Sequence, residues 1–270
     1  MNKLMNKNDL KKVHEIELEI LDEIVRICDK NNLTYFLTYG TLLGAVRHKG
    51  FIPWDDDLDI GMPREDYEKF LECCKNELSN KFLLDNKDTN KKYYLNFTKI
   101  RKIGTVMEQD FQINYNGPKG IWIDIFPYDD AIYNKGKVEA NKKKIKLIFS
   151  ILHYKSGFFL GNKLLWIKKI LGFIAKPINN KMLLEYQDRL MKKDYKKNCE
   201  YIISYASEYG VSRELVLKQK YFPVKKIEFE GKKYSAPNCY KDILINIYGD
   251  YMKLPPKEER RTHNPVRLEF

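Results

Sequence analysis

Four aspartates fall within five positions of FIPWDDDLDIGMP, residues 51–63: Asp55, Asp56, Asp57 and Asp59. Their neighbours are apolar or stiff: Phe51, Ile52, Pro53 and Trp54 on one side, Leu58, Ile60 and Met62 on the other. On a strand, residues i and i+2 face the same way. Asp57 and Asp59 then share a face, about 6–7 Å apart at Cα, while Leu58 and Ile60 turn into the core. Two carboxylates at that spacing repel by about 2–3 kcal/mol at an effective dielectric near 20. A retained proton relieves this, and so does a divalent cation. Mg2+ takes one or two carboxylates together with phosphate oxygens and water. The pair therefore points to a metal-bound phosphate or nucleotide, although Asp-x-Asp also occurs in calcium loops and glycosyltransferases.

Other segments carry compatible chemistry. In TYGTLLGAVR (38–47) a strand is expected to end at Gly40 and a helix to begin at Thr41. Gly40 lets a ligand approach the backbone closely. The N–H groups of a helix start, with the Thr41 hydroxyl, can hold a phosphate; the same residues also fit a plain strand-turn-helix with Thr41 as N-cap. In GIWIDIFPYD (120–129), Asp124 sits mid-strand between Ile123 and Ile125. It either bonds a neighbouring backbone or stands beside Asp57 and Asp59 as a third acid, sharing a metal or taking a proton from an attacking hydroxyl. Lys99 and Arg101 share a strand face and could reach donor phosphates, or form a charged outer face. Arg47, with His48 and Lys49, lies between the short helix and the acidic strand, as a donor contact or a polar loop. His14 and His153 fall in helical patterns, and His263 has no ligand partner nearby in sequence; all three read as structural.

These residues need a scaffold. Leu10, Val13, Ile16 or Glu17, Ile20, Ile24 and Ile27 recur at helical spacing over 9–30, with Asp9 as N-cap. A strand over 33–40, a short helix to Gly50 and the strand DLDIGM (57–62) follow. Pro63 opens a helix with Tyr67, Phe70, Leu71 and Cys74 on one face. YYLNFTKIRKI (93–103) and IWIDIFPY (121–128) read as strands. Residues 135–206 read as mostly helical. A last helix runs from Asn238 to about Gly249, before an extended Pro-rich tail. The fold class is α+β (mixed α/β), a small mixed sheet with a helical insertion. The expected division is a core over 1–134, a basic insertion over 135–206, and a segment over 207–270 that packs back on the core.

Composition sets limits. The 270 residues are 43% hydrophobic and 32% charged, as in globular rather than disordered chains. Five cysteines with no CxxC pair support neither a disulfide framework nor a zinc ribbon, so a reduced, cytoplasmic setting is expected. MNKLMNKNDLKK has no apolar run, so no secretory signal is expected. Residues 135–200 hold 17 Lys+Arg against 5 Asp+Glu, an excess equal to the whole chain's net charge of +12. Their apolar runs are broken by Lys155, Lys163, Lys168 and Lys169 and fall short of the roughly 20 residues that span a bilayer. The segment reads as a helical insertion with a solvated lysine face, or as a surface for an anionic membrane or acidic glycan. No nucleic-acid motif accompanies the charge, and no nucleic acid is expected as partner.

YGTLLGAVRHKGFIPWDDDLDIGMPREDYEKF closely resembles the signature of the LicD phosphotransferase family, to which fukutin-related protein belongs. GIWIDIFPYD and YGDYMKLPPKEERRTHNP resemble later family blocks in the expected order. The resemblance implies a nucleotidyltransferase-like core. It implies that Gly40 and Thr41 bind phosphate and that Asp57 and Asp59 bind Mg2+ or Mn2+, with Asp124 as third acid. Thr41 stands where serine is usual and keeps the hydroxyl. Asp55 is expected beside the pair, with Asp56 turned away or in a turn. The implied reaction moves a phospho-alcohol from a CDP-alcohol to a sugar hydroxyl of a cell-surface glycan or glycolipid precursor, releasing CMP. CDP-choline comes first, CDP-ribitol and CDP-glycerol next. The setting is the cytoplasm, with peripheral contact at the inner membrane face. A true nucleotidyltransferase, moving NMP to a small molecule or RNA, would use the same acids. A basic membrane- or glycan-binding module with a structural cation is the non-enzymatic reading.

Overall fold

The computed structural model describes residues 5–109, 115–156, 170, 173–260, 262 and 265–270. His263 and most of 157–172 therefore lie outside the described residues. Helix α1 (Lys7–Lys30) has Asn6 as its N-cap, whose side chain accepts from the Asp9 amide at 2.9 Å. Asp9, the expected cap, instead sits in the first turn, where its charge suits the helix dipole. The apolar stripe of α1 is buried, with Val13, Ile20, Leu21, Ile24 and Ile27 at 0% exposure.

The main sheet runs β1 (Phe36–Leu37), β2 (Asp59–Pro63), β6 (Trp122–Ala131), β4 (Thr98–Lys102), β3 (Phe82–Asp85). Only β2 and β6 are parallel; β1–β2, β6–β4 and β4–β3 are antiparallel. The mixed sheet bears out the α+β reading. Ile60, Ile100, Ile123 and Ile125, all fully buried, point to one side. Helix α3 (Arg64–Glu77) lies on that side: its Tyr67 hydroxyl bonds Thr98 Oγ1 at 2.5 Å. Arg64 at its start makes a bidentate pair with Asp129 of β6 (2.6 and 3.0 Å), with both side chains buried. Residues 50–58 cross from α2 (Tyr39–His48) to β2 without regular pairing.

Several expected bounds move. The strand expected over 33–40 shrinks to two residues, because the chain already turns into α2 at Tyr39, with Thr38 as N-cap. Asp57 precedes β2, which starts at Asp59. The basic segment contains α4 (Lys135–Lys155) and α5 (Asn180–Met191), but ends in strand β7 (Tyr201–Ile203), which extends β6 antiparallel and pairs in turn with β8 (Val216–Leu217). Short helix α6 (Val211–Glu214) and helix α7 (Tyr240–Tyr248) follow; α7 starts two residues later than expected and stops at Gly249, whose φ is +69°. A hairpin of β9 (Lys225–Phe229) and β10 (Lys232–Ala236) was not anticipated. It turns at Glu230 and Gly231, both with positive φ. Strand β5 (Val106–Glu108) pairs with β11 (Arg267–Glu269), so part of the expected extended tail is a strand.

Candidate active site

Strand pairing sets Asp59, Asp124 and Lys99 side by side in one row. Asp59 of β2 is the register partner of Asp124 on β6, and Asp124 is the partner of Lys99 on β4. Paired residues point to the same side, here the side away from the isoleucines. The start of α2 is clamped to this row: the Thr38 amide donates to the Asp59 carbonyl (3.2 Å), and the Asp59 amide donates to Thr41 Oγ1 (2.7 Å). Thr41 thus fixes the acidic strand through its hydroxyl instead of presenting it outward. Gly40 lies in the first turn of α2, not at a turn before it. A Cβ there would come within 2.9 Å of Asp55 Oδ2, so glycine lets the Asp55 carboxylate lie over the helix start. An acid there is favoured by the helix dipole.

A cleft of about 420 Å³ opens above the row. Asp55, Asp57, Asp59 and Asp124 line it with Gly40, so sequence-distant acids do meet. Five aromatic rings, Tyr39, Phe97, Phe126, Tyr209 and Tyr248, make much of the remaining wall. Phe97 stacks on Phe126 at 4.5 Å, Tyr39 meets Phe126 edge-on at 5.2 Å, and the Tyr209 and Tyr248 hydroxyls bond at 3.0 Å. Tyr39 holds a φ of +45°, uncommon for a bulky residue. A second cavity of about 250 Å³, between α3 and α5, contains none of the predicted site acids.

Electrostatics separates the acids. Burial and then Asp57, Asp124 and Asp55 hold the Asp59 carboxyl well above the usual range; Lys99 opposes them. Lys99 Nζ lies 2.5 Å from Asp124 Oδ1 and 4.3 Å from the Trp122 ring. Burial lowers the Lys99 pKa, and Asp124 partly offsets this. Among the described residues no three acidic, imidazole or thiol side chains form a ready-made metal cage. The donor set still suits a hard cation. Asp57 and Asp59 provide carboxylate oxygens, the number Mg2+ uses when phosphate and water complete its shell. The like charge crowding Asp59 is what a cation would offset.

None of the three predicted donor-binding basic residues lines the cleft: Lys99 is buried and spends its charge on Asp124 beneath it, and the other two sit elsewhere. Arg101 is 3% exposed, donates to Asp85 (2.6 Å) and to the Gly120 carbonyl (3.0 Å), and does not line the cleft. Its charge is used within the fold, because a buried guanidinium needs a buried partner. Arg47 lies at the far end of α2, bonded to the Tyr251 carbonyl (2.9 Å) and to His48 Nε2 (2.9 Å), and also does not line the cleft. Asp56 is 1% exposed and turned from the cleft, as expected. Two residues of α1 back the acidic loop, one of them, Glu17, in a role that sequence reasoning missed. His14 Nε2 bonds the Asp55 carbonyl (2.7 Å) and its ring stacks on Phe51 at 3.8 Å, bracing the acidic loop from behind. Glu17, 1% exposed, lies on the buried stripe; burial and then Asp57 raise its carboxyl well above the usual range. The available signal was an acid at an apolar position of the helical repeat.

The row of acids beside a helix start, on a mixed sheet, is the arrangement expected of a nucleotidyltransferase-like phosphotransferase. Residues 32–154 match the family model for the LicD/FKTN/FKRP nucleotidyltransferase domain. The lipopolysaccharide cholinephosphotransferase LicD of Haemophilus influenzae is 32% identical over 274 aligned positions, covering 96% of this chain and 97% of that protein. The human ribitol 5-phosphate transferase FKRP is 44% identical over 43 residues, 16% of this chain and 9% of its own. The chain belongs to the LicD family.

Proposed function

We propose that the protein transfers phosphocholine from CDP-choline to a sugar hydroxyl of a cell-surface glycan or its precursor, releasing CMP. The observation that carries this reading is the meeting of Asp57, Asp59 and Asp124 in one cleft walled by five aromatic rings. A quaternary ammonium has no hydrogen to donate and is held by aromatic faces. Tyr39, Phe97, Phe126, Tyr209 and Tyr248 provide such faces, and Glu208 also lines the cleft. A polyol would call for amides and hydroxyls in their place. The relative that spans nearly the whole chain is named a cholinephosphotransferase.

In-line displacement at phosphorus needs positioning and charge neutralisation more than covalent chemistry. The acceptor oxygen bonds to the phosphorus of phosphocholine, the bridging P–O bond to CMP breaks, and the hydroxyl proton passes to Asp124. In this scheme Lys99, paired with Asp124, fixes the orientation of that carboxylate. Asp57 and Asp59 are the residues that would hold Mg2+ or Mn2+. Such a cation neutralises the diphosphate and the leaving CMP when bound. The backbone at the start of α2 is the phosphate-facing element of this scheme.

The setting proposed is the cytoplasmic face of the membrane. No described helix is long and apolar enough to cross it. Phe173, Ile174 and Met182 are 74%, 64% and 61% exposed, with Lys176 and Lys181 nearby in sequence, a composition suited to an anionic surface. Pelleting with anionic vesicles, weakened by Phe173→Ser, checks that contact; equal pelleting of the variant overturns it.

The deciding experiment offers CDP-choline, CDP-ribitol, CDP-glycerol and CDP-ethanolamine with Mg2+ and a glycan acceptor, and follows CMP. Choline-labelled donor should label the acceptor while cytidine label stays in CMP. Cytidine label on the acceptor would mean a true nucleotidyltransferase. No turnover of any donor would sink the reading.

A further inference from the structure

From helix α4 of the basic insertion, Lys142 reaches the wall of the cleft. Lys143, Lys144 and Lys146 of α4 are exposed, but Lys142 turns inward. Its ammonium donates to the Tyr209 carbonyl at 2.5 Å and to Ser207 Oγ at 3.3 Å. Ser207, Glu208 and Tyr209 form a wall of the cleft. They belong to an irregular stretch between β7 and α6, which has no strand partner to hold it.

Glu214 lies on the other side of this stretch. It is 1% exposed. Its carboxyl is within hydrogen-bonding reach of the Ser207 and Tyr39 side chains and of the Ser204 backbone, and it feels the charge of Lys142. Its Oε1 has no hydrogen-bond partner among the described residues. The titratable groups around it are Lys142 with Lys146 behind it on α4, Tyr39 on α2, Tyr128 on β6, Tyr209 and Tyr221. A buried acid and an inward lysine thus flank one loop from two elements, and the acid's charge is felt by Tyr39, whose ring lines the cleft beside Gly40. Stability alone gives little reason for such a pair, since replacing buried charges by apolar residues often stabilises a protein.

We propose that Lys142, facing Glu214, is a positioning residue for donor binding: through it the insertion fixes the Ser207–Tyr209 wall of the cleft. This rests on the phosphotransferase reading for its kinetic readout, but not for its structural one. Lys142→Met removes both hydrogen bonds of the ammonium while keeping most of the chain length. It should raise KM for CDP-choline about tenfold, with kcat within about twofold, because the wall contacts substrate and transition state alike. Lys142→Arg should restore most of the affinity. Amide hydrogen exchange at 204–210 should accelerate about tenfold in Lys142→Met, with β2 unchanged. Ser207→Ala, a milder change, should shift both readouts in the same direction if Lys142→Met does not fold. A lower melting temperature with neither KM nor local exchange altered would overturn the proposal and leave Lys142 purely structural. Should the wild-type protein turn over no CDP-alcohol, the functional reading fails, and the exchange comparison still decides the role of Lys142.

Discussion

Asp59→Asn separates catalysis from stability by sign. Asp59 and Asp124 are direct neighbours on parallel strands, which places them about 4.8 Å apart. At an effective dielectric near 20, two carboxylates at that distance repel by about 3 kcal/mol. The Lys99 ammonium on Asp124 offsets part of this, leaving about 2 kcal/mol. If Asp59 instead keeps a proton, folding still bears the cost of holding it above its usual range. Replacing it by asparagine relieves the metal-free protein in either case. In EDTA, Asp59→Asn should therefore melt about 4 °C above wild type, given roughly 2 °C per kcal/mol for a chain of this size. Added Mg2+ should raise the wild-type melting temperature and leave the variant nearly unchanged. CMP release from CDP-choline should fall by at least about a thousandfold. The assays are calorimetry with and without Mg2+ and a coupled CMP assay. A variant that melts lower than wild type in EDTA, or that keeps its turnover, refutes the reasoning; the second result is what a purely structural cation would give.

Three other outcomes follow from particular contacts. Arg101→Ala strands the buried Asp85 carboxylate and should cost about 3–5 kcal/mol; urea unfolding measures this, and an Arg101→Ala protein of wild-type stability with raised donor KM would return Arg101 to the site. Tyr248→Leu, which removes one aromatic face and the bond to Tyr209, should weaken CDP-choline binding by about 1–2 kcal/mol and CDP-glycerol binding less, as calorimetric titration of both donors would reveal. Burial pushes the Glu214 carboxyl from 4.5 up to about 7. Between those values the folded state binds the extra proton, so stability falls as pH rises, by about 3 kcal/mol in total. Urea midpoints from pH 4 to 8 should show that slope in wild type and its loss in Glu214→Gln; an unchanged slope excludes Glu214 as the source.

Sequence determined much of the scaffold and the choice of acids. Alternation around Leu58 and Ile60, and around Ile123 and Ile125, is a local property of a half-buried strand. It singled out Asp59 and Asp124 because a charge in such a pattern has to face a cleft or a partner. The spacing on α1 fixed a buried stripe, and Gly249 marked the end of α7. The β9–β10 hairpin is also legible in principle, since Glu230-Gly231 sits between alternating segments. Tertiary structure alone decided the partners. Lys99 and Arg101 share a strand face, yet one meets Asp124 in the cleft and the other meets Asp85 in the core. Nothing local distinguishes them, because a long cation goes to whichever buried carboxylate the neighbouring strand presents. Thr41 keeps its hydroxyl, but the clamp of α2 on β2 turns that hydroxyl to the Asp59 amide. The aromatic wall is likewise invisible in sequence, where its rings are scattered from Tyr39 to Tyr248 among 19 tyrosines and 14 phenylalanines. Strand register and loop packing, which depend on contacts far apart in the chain, select those five rings and set them around the acids.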